Sequence, residues 1–572
     1  MGWFVATYKH INKQVLNCNL SSIVFVVILI SCLQTTLNAQ VENVTISNPV
    51  YDFLIHIEAK GVLPHYSTSS IPWQRWKIID ALKLARQNDS LLTNNEIKTL
   101  TMFEKEFGIN AQVTAVLIKS QSDSIQVISN RIVTDDEKFI YKINNETLNN
   151  AIIPLGAFET IINHDAEQKN TSNLILGSLG GRMSGTICNT LGFNLQITNT
   201  AMLKGDTALS LWDNRFANNI KLKYYNADAD LQESHITYMK NWTETAYLTA
   251  TIGRQQQLIG AGIDQKIILN NLAPPMDALT LKAAFKQVEY TYSHNSLIGN
   301  IITDNEVGVN TTITPKYWTT HAFSFLPRWG EITIFETIIY ARHPDIAYLT
   351  PLSFFKSIEH TLHDRDNAGM GLYATIRPLK NLQIQATWFF DDIKFTEIGK
   401  NYWSNKTAWN VVLTTTIIKN VNAGIEYTRV EPYTFSHFDV ATANTNDGVL
   451  FGSTINPNSD RLSIIANILT GRRYPIKLKY SYTRHGDNVY DENGNLIKNV
   501  GGNPLQTLLF DTEGHCQRVT FLDGTLNKIH QLDVTAAYEI IRGLRLQLNY
   551  RGTVINNAIN NWLRVTLAIY DW

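Results

Sequence analysis

From about Leu174 onward the chain alternates between apolar and polar positions with period two. In the stretch Ile476 to Thr483 every even position is apolar or aromatic and every odd one is polar. Leu544, Leu546, Leu548 and Tyr550 alternate with Arg545, Gln547, Asn549 and Arg551. Leu382, Ile384, Ala386 and Trp388 do the same with Gln383, Gln385 and Thr387, as do Leu532, Val534, Ala536 and Tyr538 with Gln531, Asp533 and Thr535. Successive side chains of a strand point to opposite faces, so these strands divide two media. In a transmembrane barrel the apolar face meets lipid and the polar face a wet lumen. Soluble sandwiches and propellers also alternate. Here, though, the segments run eight to ten residues, close to the roughly 9–11 needed to cross a bilayer and longer than the usual five or six. Tyrosines close many of the apolar rows, as in an interfacial belt, and no period of 40–50 residues repeats, as propeller blades require. The pattern predicts an all-β transmembrane fold, an outer-membrane antiparallel β-barrel.

The C-terminal segment has the same pattern. Leu563, Val565, Leu567 and Ile569 alternate with Arg564, Thr566 and Ala568, and the last residue is Trp572. A closing strand with a terminal aromatic is characteristic of outer-membrane barrels. Tyr570 and Trp572 are out of phase with that row, which calls for a local bulge or a less regular terminal register.

Residues 41–110 follow a helical period instead. Ser70 is placed to cap a helix starting near Pro72, with Ile78, Ile79, Leu82 and Ala85 on one face. Thr93-Asn94-Asn95-Glu96 has capping-box spacing. Ile97, Leu100, Phe103 and Phe107 follow it, and Gly108 stands where a helix would end. These helices predict a small periplasmic plug over residues 40–110, with the barrel in 111–572. Residues 111–170 are ambiguous, with short strand-like pieces at Gln112 to Ile118 and Lys138 to Ile143.

Residues 1–39 read as a cleaved signal peptide. Lys9 and Lys13 make a positive start, and Ile23 to Leu33 is an apolar run of eleven residues, about half of what a membrane helix needs. Cleavage is expected after Ala39; Leu29-Ile30-Ser31-Cys32 offers a lipoprotein box, with Cys32 lipidated, as the alternative. No second long apolar run follows, so a membrane could be crossed only by strands. The mature 533 residues exceed the roughly 300 at which single cores stop growing, a limit that a large barrel escapes. Without the signal, Lys+Arg falls from 49 to 47 against 50 acids, a net charge of −3. No clustered basic excess marks a nucleic-acid partner. Only Cys188 and Cys516 remain, too few for a CxxC-type metal site.

Several short stretches resemble the capsule assembly proteins of the Wzi family. They include Gly253-Arg254-Gln255, Gly260-Ala261-Gly262, Ile268-Leu269-Asn270-Asn271-Leu272-Ala273-Pro274, Phe335-Glu336-Thr337 and Tyr348 to Phe355. Asp366 to Gly371, Asp391-Asp392 and the N-terminal Asn48 to Leu54 add to the set, in order along most of the mature chain. The resemblance implies a barrel of about eighteen strands with a periplasmic helical plug, and a lectin-like protein holding capsular or other surface polysaccharide. At Arg254-Gln255-Gln256-Gln257-Leu258 this chain departs from the aromatic-rich stretch expected of better-known members.

A polysaccharide site needs planar hydrogen-bonding groups and aromatic faces. Arg254, Gln255, Asn270 and Asn271 are the candidates for the first and Trp403 for the second. Trp388 is set aside because its phase puts it in the lipid row. The bland reading of the amides and the arginine is an ordinary wet lumen. Asp391 and Asp392 read as a solvated turn, Glu359 to Asp366 as an exposed loop without HExxH spacing, and glycine-rich Gly177 to Gly185 as kinks that let a strand curve. No catalytic, cofactor or metal constellation is nominated. The expected partners are surface polysaccharide and outer-membrane lipid. The rival functions are a diffusion or uptake channel and, behind it, a barrel lipid hydrolase with a Ser–His pair at the lipid interface.

Overall fold

The computed structural model describes residues 40–109, 115–116, 138–144, 148–166, 169–213, 215–216, 228–243, 245–303, 312–469, 471, 474–506 and 518–570. The signal segment, Cys516 and Trp572 lie outside the described residues. Eighteen antiparallel strands close into a barrel. In chain order, β1 to β5 are Leu148–Asp165, Asn170–Ile187, Leu191–Gly205, Ala229–Thr243 and Ala246–Gln255. Strands β6 to β9 are Met276–Phe285, Val288–Thr303, Thr312–Phe325 and Gly330–Tyr340. Strands β10 to β13 are Asn367–Leu379, Leu382–Asp392, Lys406–Thr415 and Val421–Val430. Strands β14 to β18 are Ser459–Leu469, Pro475–Asp487, Thr525–Ile541, Leu544–Ile555 and Ala558–Ile569. β18 seals the cylinder against β1, from Asn560↔Asp165 to Ile569↔Gly156. The short strand Tyr141–Asn144 pairs with the start of β1, Asn149 to Ile152, within the stretch the sequence left ambiguous.

The wall has its polarity reversed relative to a soluble protein. On β11, Ile384 and Trp388 are 38% and 48% exposed, while Gln383, Gln385 and Thr387 are 3%, 5% and 1% exposed. The rows Leu478/Tyr480, Leu546/Leu548, Leu532/Tyr538 and Val565/Leu567/Ile569 likewise point outward. In water each such side chain would forgo about 1.5–3 kcal/mol of burial; in acyl chains it forgoes nothing. Among the described residues no helix is long and apolar enough to cross a membrane. Glycines in β2 let the sheet draw tight, since a Cβ on Gly180 or Gly185 would collide with the carbonyl oxygen of Ile197 or Asn149. β18 ends at Ile569, and Tyr570 turns inward with φ +60°. That turn accounts for the tyrosine's break from the alternating row.

Three helices sit in the periplasmic end of the lumen: α1 (Val50–Ala59), α2 (Arg75–Gln87) and α3 (Asn94–Glu106). α3 carries the expected capping box between Thr93 and Glu96, and Gly108 follows it with φ +77°. α2 starts at Arg75 rather than at Pro72. Ser70 does not cap it because Ser70 and Ile71 pair with Leu258 and Ile259 as a two-stranded ribbon. α1 had no helical signature in the sequence: it is buried almost all round, so it lacks the polar stripe that reveals a surface helix. The helices share one apolar core, with the Phe53 and Phe103 rings 5.6 Å apart.

Polar rivets hold this plug to the wall. The Glu58 carboxylate accepts from Thr68, from Arg377 at 2.9 Å and from Gln383 at 3.1 Å. Asp52 pairs with Lys477 at 2.7 Å and Glu106 with Arg542 at 2.9 Å. Cys188, in the periplasmic turn after β2, is disulfide-bonded; Cys18, Cys32 and Cys516 all lie outside the described residues.

Within the plug, Glu96 accepts from His56 at 2.7 Å, Lys60 at 2.6 Å and the Thr93 amide at 2.6 Å. Burial pushes its carboxyl up, but these hydrogen bonds outweigh it and hold the group at about 2 instead of 4.5. A depressed folded value means that the stabilisation is complete above about 4.5 and drains away as pH falls toward about 2. Near-ultraviolet circular dichroism of the folded protein should lose plug signal across that interval. Glu96→Gln should flatten this part of the titration and lower stability at neutral pH.

Candidate functional site

The chain between β5 and β6, residues 256–275, does not leave the barrel as an ordinary loop but turns into the lumen. Gly260 (φ +122°) and Gly262 (φ +145°) make the turn. A Cβ on Gly262 would strike the Gln265 carbonyl and the Asn410 side chain, so only glycine fits. The Ala261 carbonyl accepts from Thr387 Oγ1 at 2.9 Å and Asn410 Nδ2 at 3.0 Å. The Glu426 carboxylate then takes three successive backbone amides, from Ile263 (2.9 Å), Asp264 (2.7 Å) and Gln265 (3.1 Å). Asp264 reaches Lys479 at 2.9 Å and Ser463 at 2.7 Å. Burial raises its carboxyl, but the charges of Lys479 and Arg461 hold it well below the usual carboxylate range.

Beyond this polar anchor the same loop is apolar. Ile267, Ile268 and Leu269 pack against Trp318, Phe335 and Phe389 of the wall and against Phe435, Phe451 and Ile455. The last three belong to the long excursion between β13 and β14, which folds inward from the outer rim. Gln265 Oε1 accepts from the Thr454 amide at 2.9 Å, and the Asn270 amide donates to the Phe451 carbonyl at 2.8 Å. The lumen is therefore not wet throughout, as the alternation implied; its outer half contains a dry core.

The structure places the residues proposed from sequence as follows. Gln255 is buried and accepts from Asn43 Nδ2 at 2.8 Å. Asn270 is buried, its Oδ1 accepting the Leu272 amide at 2.8 Å, while Asn271 is exposed. Gln255, Asn270 and Asn271 line one gap of about 10 Å³, room for roughly one water and none for a sugar ring. Arg254 has the outward phase of Leu248 and Ile252 and is paired through both nitrogens with Asp277, at 2.9 and 2.6 Å. Trp403 sits apart, half-buried against Tyr402 in the outer loop between β11 and β12.

A roomier recess of about 290 Å³ lies on the outer side of the inward loop, near the lower end of ligand-site volumes, about 300 Å³. Arg254, Gln256, Gln196, Gln232 and Asp230 line it, Pro274 and Pro275 form one wall, and Thr45 to Ser47 of the plug segment also line it. Of the sequence candidates only Arg254 is part of it. Gln196 could have been nominated from its phase, whereas nothing in the sequence places Thr45 to Ser47 there.

Other clusters carry less. The ligand atoms of Glu359, His360 and Asp364 lie within 4.8 Å of one another, but Glu359 is already held by Lys356 at 2.7 Å. Burial raises the Glu359 carboxyl to about 7. Ser459 Oγ contacts His485 Nδ1 at 2.8 Å, with Asp487 3.8 Å from the same ring. Ser459 is 1% exposed and has the inward phase, not the lipid-facing one a lipid hydrolase requires. Asp391 is buried and accepts the Phe435 amide at 2.7 Å, a structural anchor and not a solvated turn.

No family model matches the chain, and no curated protein matches it in sequence. Its fold is similar to that of Wzi from Escherichia coli, an outer-membrane, carbohydrate-binding β-barrel involved in group 1 capsule assembly. The TM-score is 0.53 at 11% identity, over 93% of this chain and 100% of that one. OprD of Pseudomonas aeruginosa gives 0.41 at 10% identity, over 73% and 92%, and OccK8 (OprE) of the same organism 0.42 at 8%, over 73% and 97%. At these identities the likeness is one of fold.

Removing the Glu426 carboxylate would leave three amides without this acceptor, a cost of about 1–3 kcal/mol for the buried one, Gln265, and less for the half-buried Ile263 and Asp264. Glu426→Ala should therefore expose Lys266 to trypsin and raise single-channel conductance in planar bilayers above that of the unaltered protein. The chain is an eighteen-stranded β-barrel of the outer-membrane kind, with helices packed in its periplasmic end and its own loop packed across its middle.

Proposed function

We propose that this protein belongs with the Wzi capsule assembly proteins. In this reading it is a non-enzymatic outer-membrane barrel, exported by a cleaved signal over residues 1–39, that binds surface polysaccharide and helps capsule attach at the cell surface. The observation that carries the reading is the occupied lumen. Plug, inward loop and outer excursion lie in the lumen and are bonded to the wall through buried carboxylates, an arrangement suited to a binding platform. The recess beside Arg254 supplies a guanidinium, amides and a carboxylate for hydroxyl-rich ligands, and the Pro274–Pro275 rings offer apolar faces to sugar C–H groups. Two of the stretches that resemble that family lie in the inward loop: Gly260 to Gly262 turns it into the lumen and Ile268 to Pro274 continues it there.

Purified protein should retain capsular polysaccharide from the same cells in a co-sedimentation assay. The double replacement Arg254→Ala/Gln256→Ala should weaken retention by about tenfold or more, as expected for loss of a charge-assisted hydrogen bond. Planar-bilayer conductance of the unaltered protein should be small. A large, steady conductance together with no retention of polysaccharide would replace this function with that of a channel.

A further inference from the structure

The chain between β9 and β10, residues 341–366, folds outward and lies against the outside of the wall. It contains two short helices, α4 (Ile346–Leu349) and α5 (Phe355–Thr361). The wall beneath it breaks the rule of the outward face. On β9, Ile332 and Ile334 are exposed, yet the next outward position is Glu336, which is 4% exposed. Its register partner on β8 is His321, which in turn is opposite Tyr292 on β7. Glu336 is thus about 7 Å along the strand from a lipid-facing isoleucine, where a bare carboxylate would meet acyl chains.

The excursion satisfies every one of these groups. Glu336 accepts the amides of Phe355 at 2.8 Å and Lys356 at 2.6 Å, and contacts His321 Nε2 at 2.9 Å. Tyr292 donates to the Tyr348 carbonyl at 2.8 Å, and Tyr290 donates to the Pro351 carbonyl. The Phe355 ring stacks on His321 with centroids 4.5 Å apart. Irregular backbone survives at membrane depth only when its polar groups are satisfied by protein, and here the wall's own side chains do that. Between its ends the excursion turns large apolar side chains away from the wall: Leu352 is 86% exposed, Ile346 79% and Phe354 59%. Its charged residues lie toward its two ends: Arg342, His343 and Asp345 beside the rim at Tyr340, and Lys356 to Asp366, including the exposed His360 and Asp364, in the part that climbs back toward Asn367.

We propose that residues 341–366 form a lipid-embedded flap, seated in the outer leaflet with Leu352 and Phe354 among the acyl chains and the charged end of α5 at headgroup level. The argument for lipid as the occupant is continuity. The apolar side chains of the flap extend the same exposed row as Ile332 and Ile334, the surface by which the barrel already meets the bilayer. This inference is independent of any carbohydrate role.

The test places a photoreactive benzophenone amino acid at position 352, and separately at 354, in the full mature chain reconstituted in phosphatidylcholine vesicles. Position 334 serves as the lipid-facing control and 493, in an exposed outer turn, as the water-facing one. Heat-modifiable gel mobility verifies that each variant is folded. Illumination should give lipid adducts at 352 and 354 as at 334, and none at 493. A crosslinked dimer at 352 or 354 would make a second copy the occupant and overturn the proposal. So would the absence of any adduct beyond that at 493.

Discussion

The constraint on which the rest depends is closure of a sheet whose two faces meet opposite media. Eighteen strands joined edge to edge leave no open backbone row, which lets the chain cross a bilayer without unpaired amides. The same closure creates an interior lined by Gln, Thr, Asn, Glu and Arg. Those groups need partners, and bulk water reaches few of them. Plug and inward loop are thus consequences of the wall as much as additions to it. Glu426 points inward from β13 and accepts three amides of the inward loop, while Arg377 and Gln383 of the wall donate to Glu58 of the plug.

Such buried carboxylates are not strong evidence of net stability, because desolvation offsets much of the attraction. Their stronger effect is on uniqueness. A loop held only by Ile267 to Leu269 could settle in several ways against an apolar wall. Three consecutive amides converging on one carboxylate, with Asp264 fixed separately by Lys479, allow a single seating.

The strands were legible because period two persists through long segments and one face is strictly apolar, as in β11, β15 and β17. α2 and α3 were legible because each has a polar side and, for α3, a capping box. α1 was not, since a helix buried on nearly all sides has no stripe to detect. The start of α2 was misplaced because Ser70, a good cap by composition, pairs with a segment about 190 residues away. The candidate site was legible only locally. Gly260 and Gly262 signal a turn, but its direction is set by Asn410 and Glu426, roughly 150 residues later in the chain. Asn270 and Asn271, attractive as free amides, differ in fate because Asn270 lies beneath the Phe451 backbone and Asn271 just outside it.

Exceptions to the alternation on β8, β9 and β11 locate segments that fold back onto the barrel wall. On β9 the outward phase runs Ile332, Ile334, Glu336 and the inward phase Thr333, Phe335, Thr337. The misplaced carboxylate is covered from outside by α5, and the misplaced phenylalanine from inside by Ile267 to Leu269 and Phe451. Trp318 on β8 and Phe389 on β11, inward and apolar, lie under the same inner cover, while His321, outward and polar, lies under the outer one. A wall residue in the wrong medium is tolerated only where another segment replaces that medium. The rule is therefore predictive in the reverse direction: a polar side chain in the lipid phase, or an aromatic one in the lumen phase, marks where a loop must fold back. β8, β9 and β11 carry such violations, and the excursions that cover them begin or end on β9 or its near neighbours in the barrel or cross the lumen to reach them.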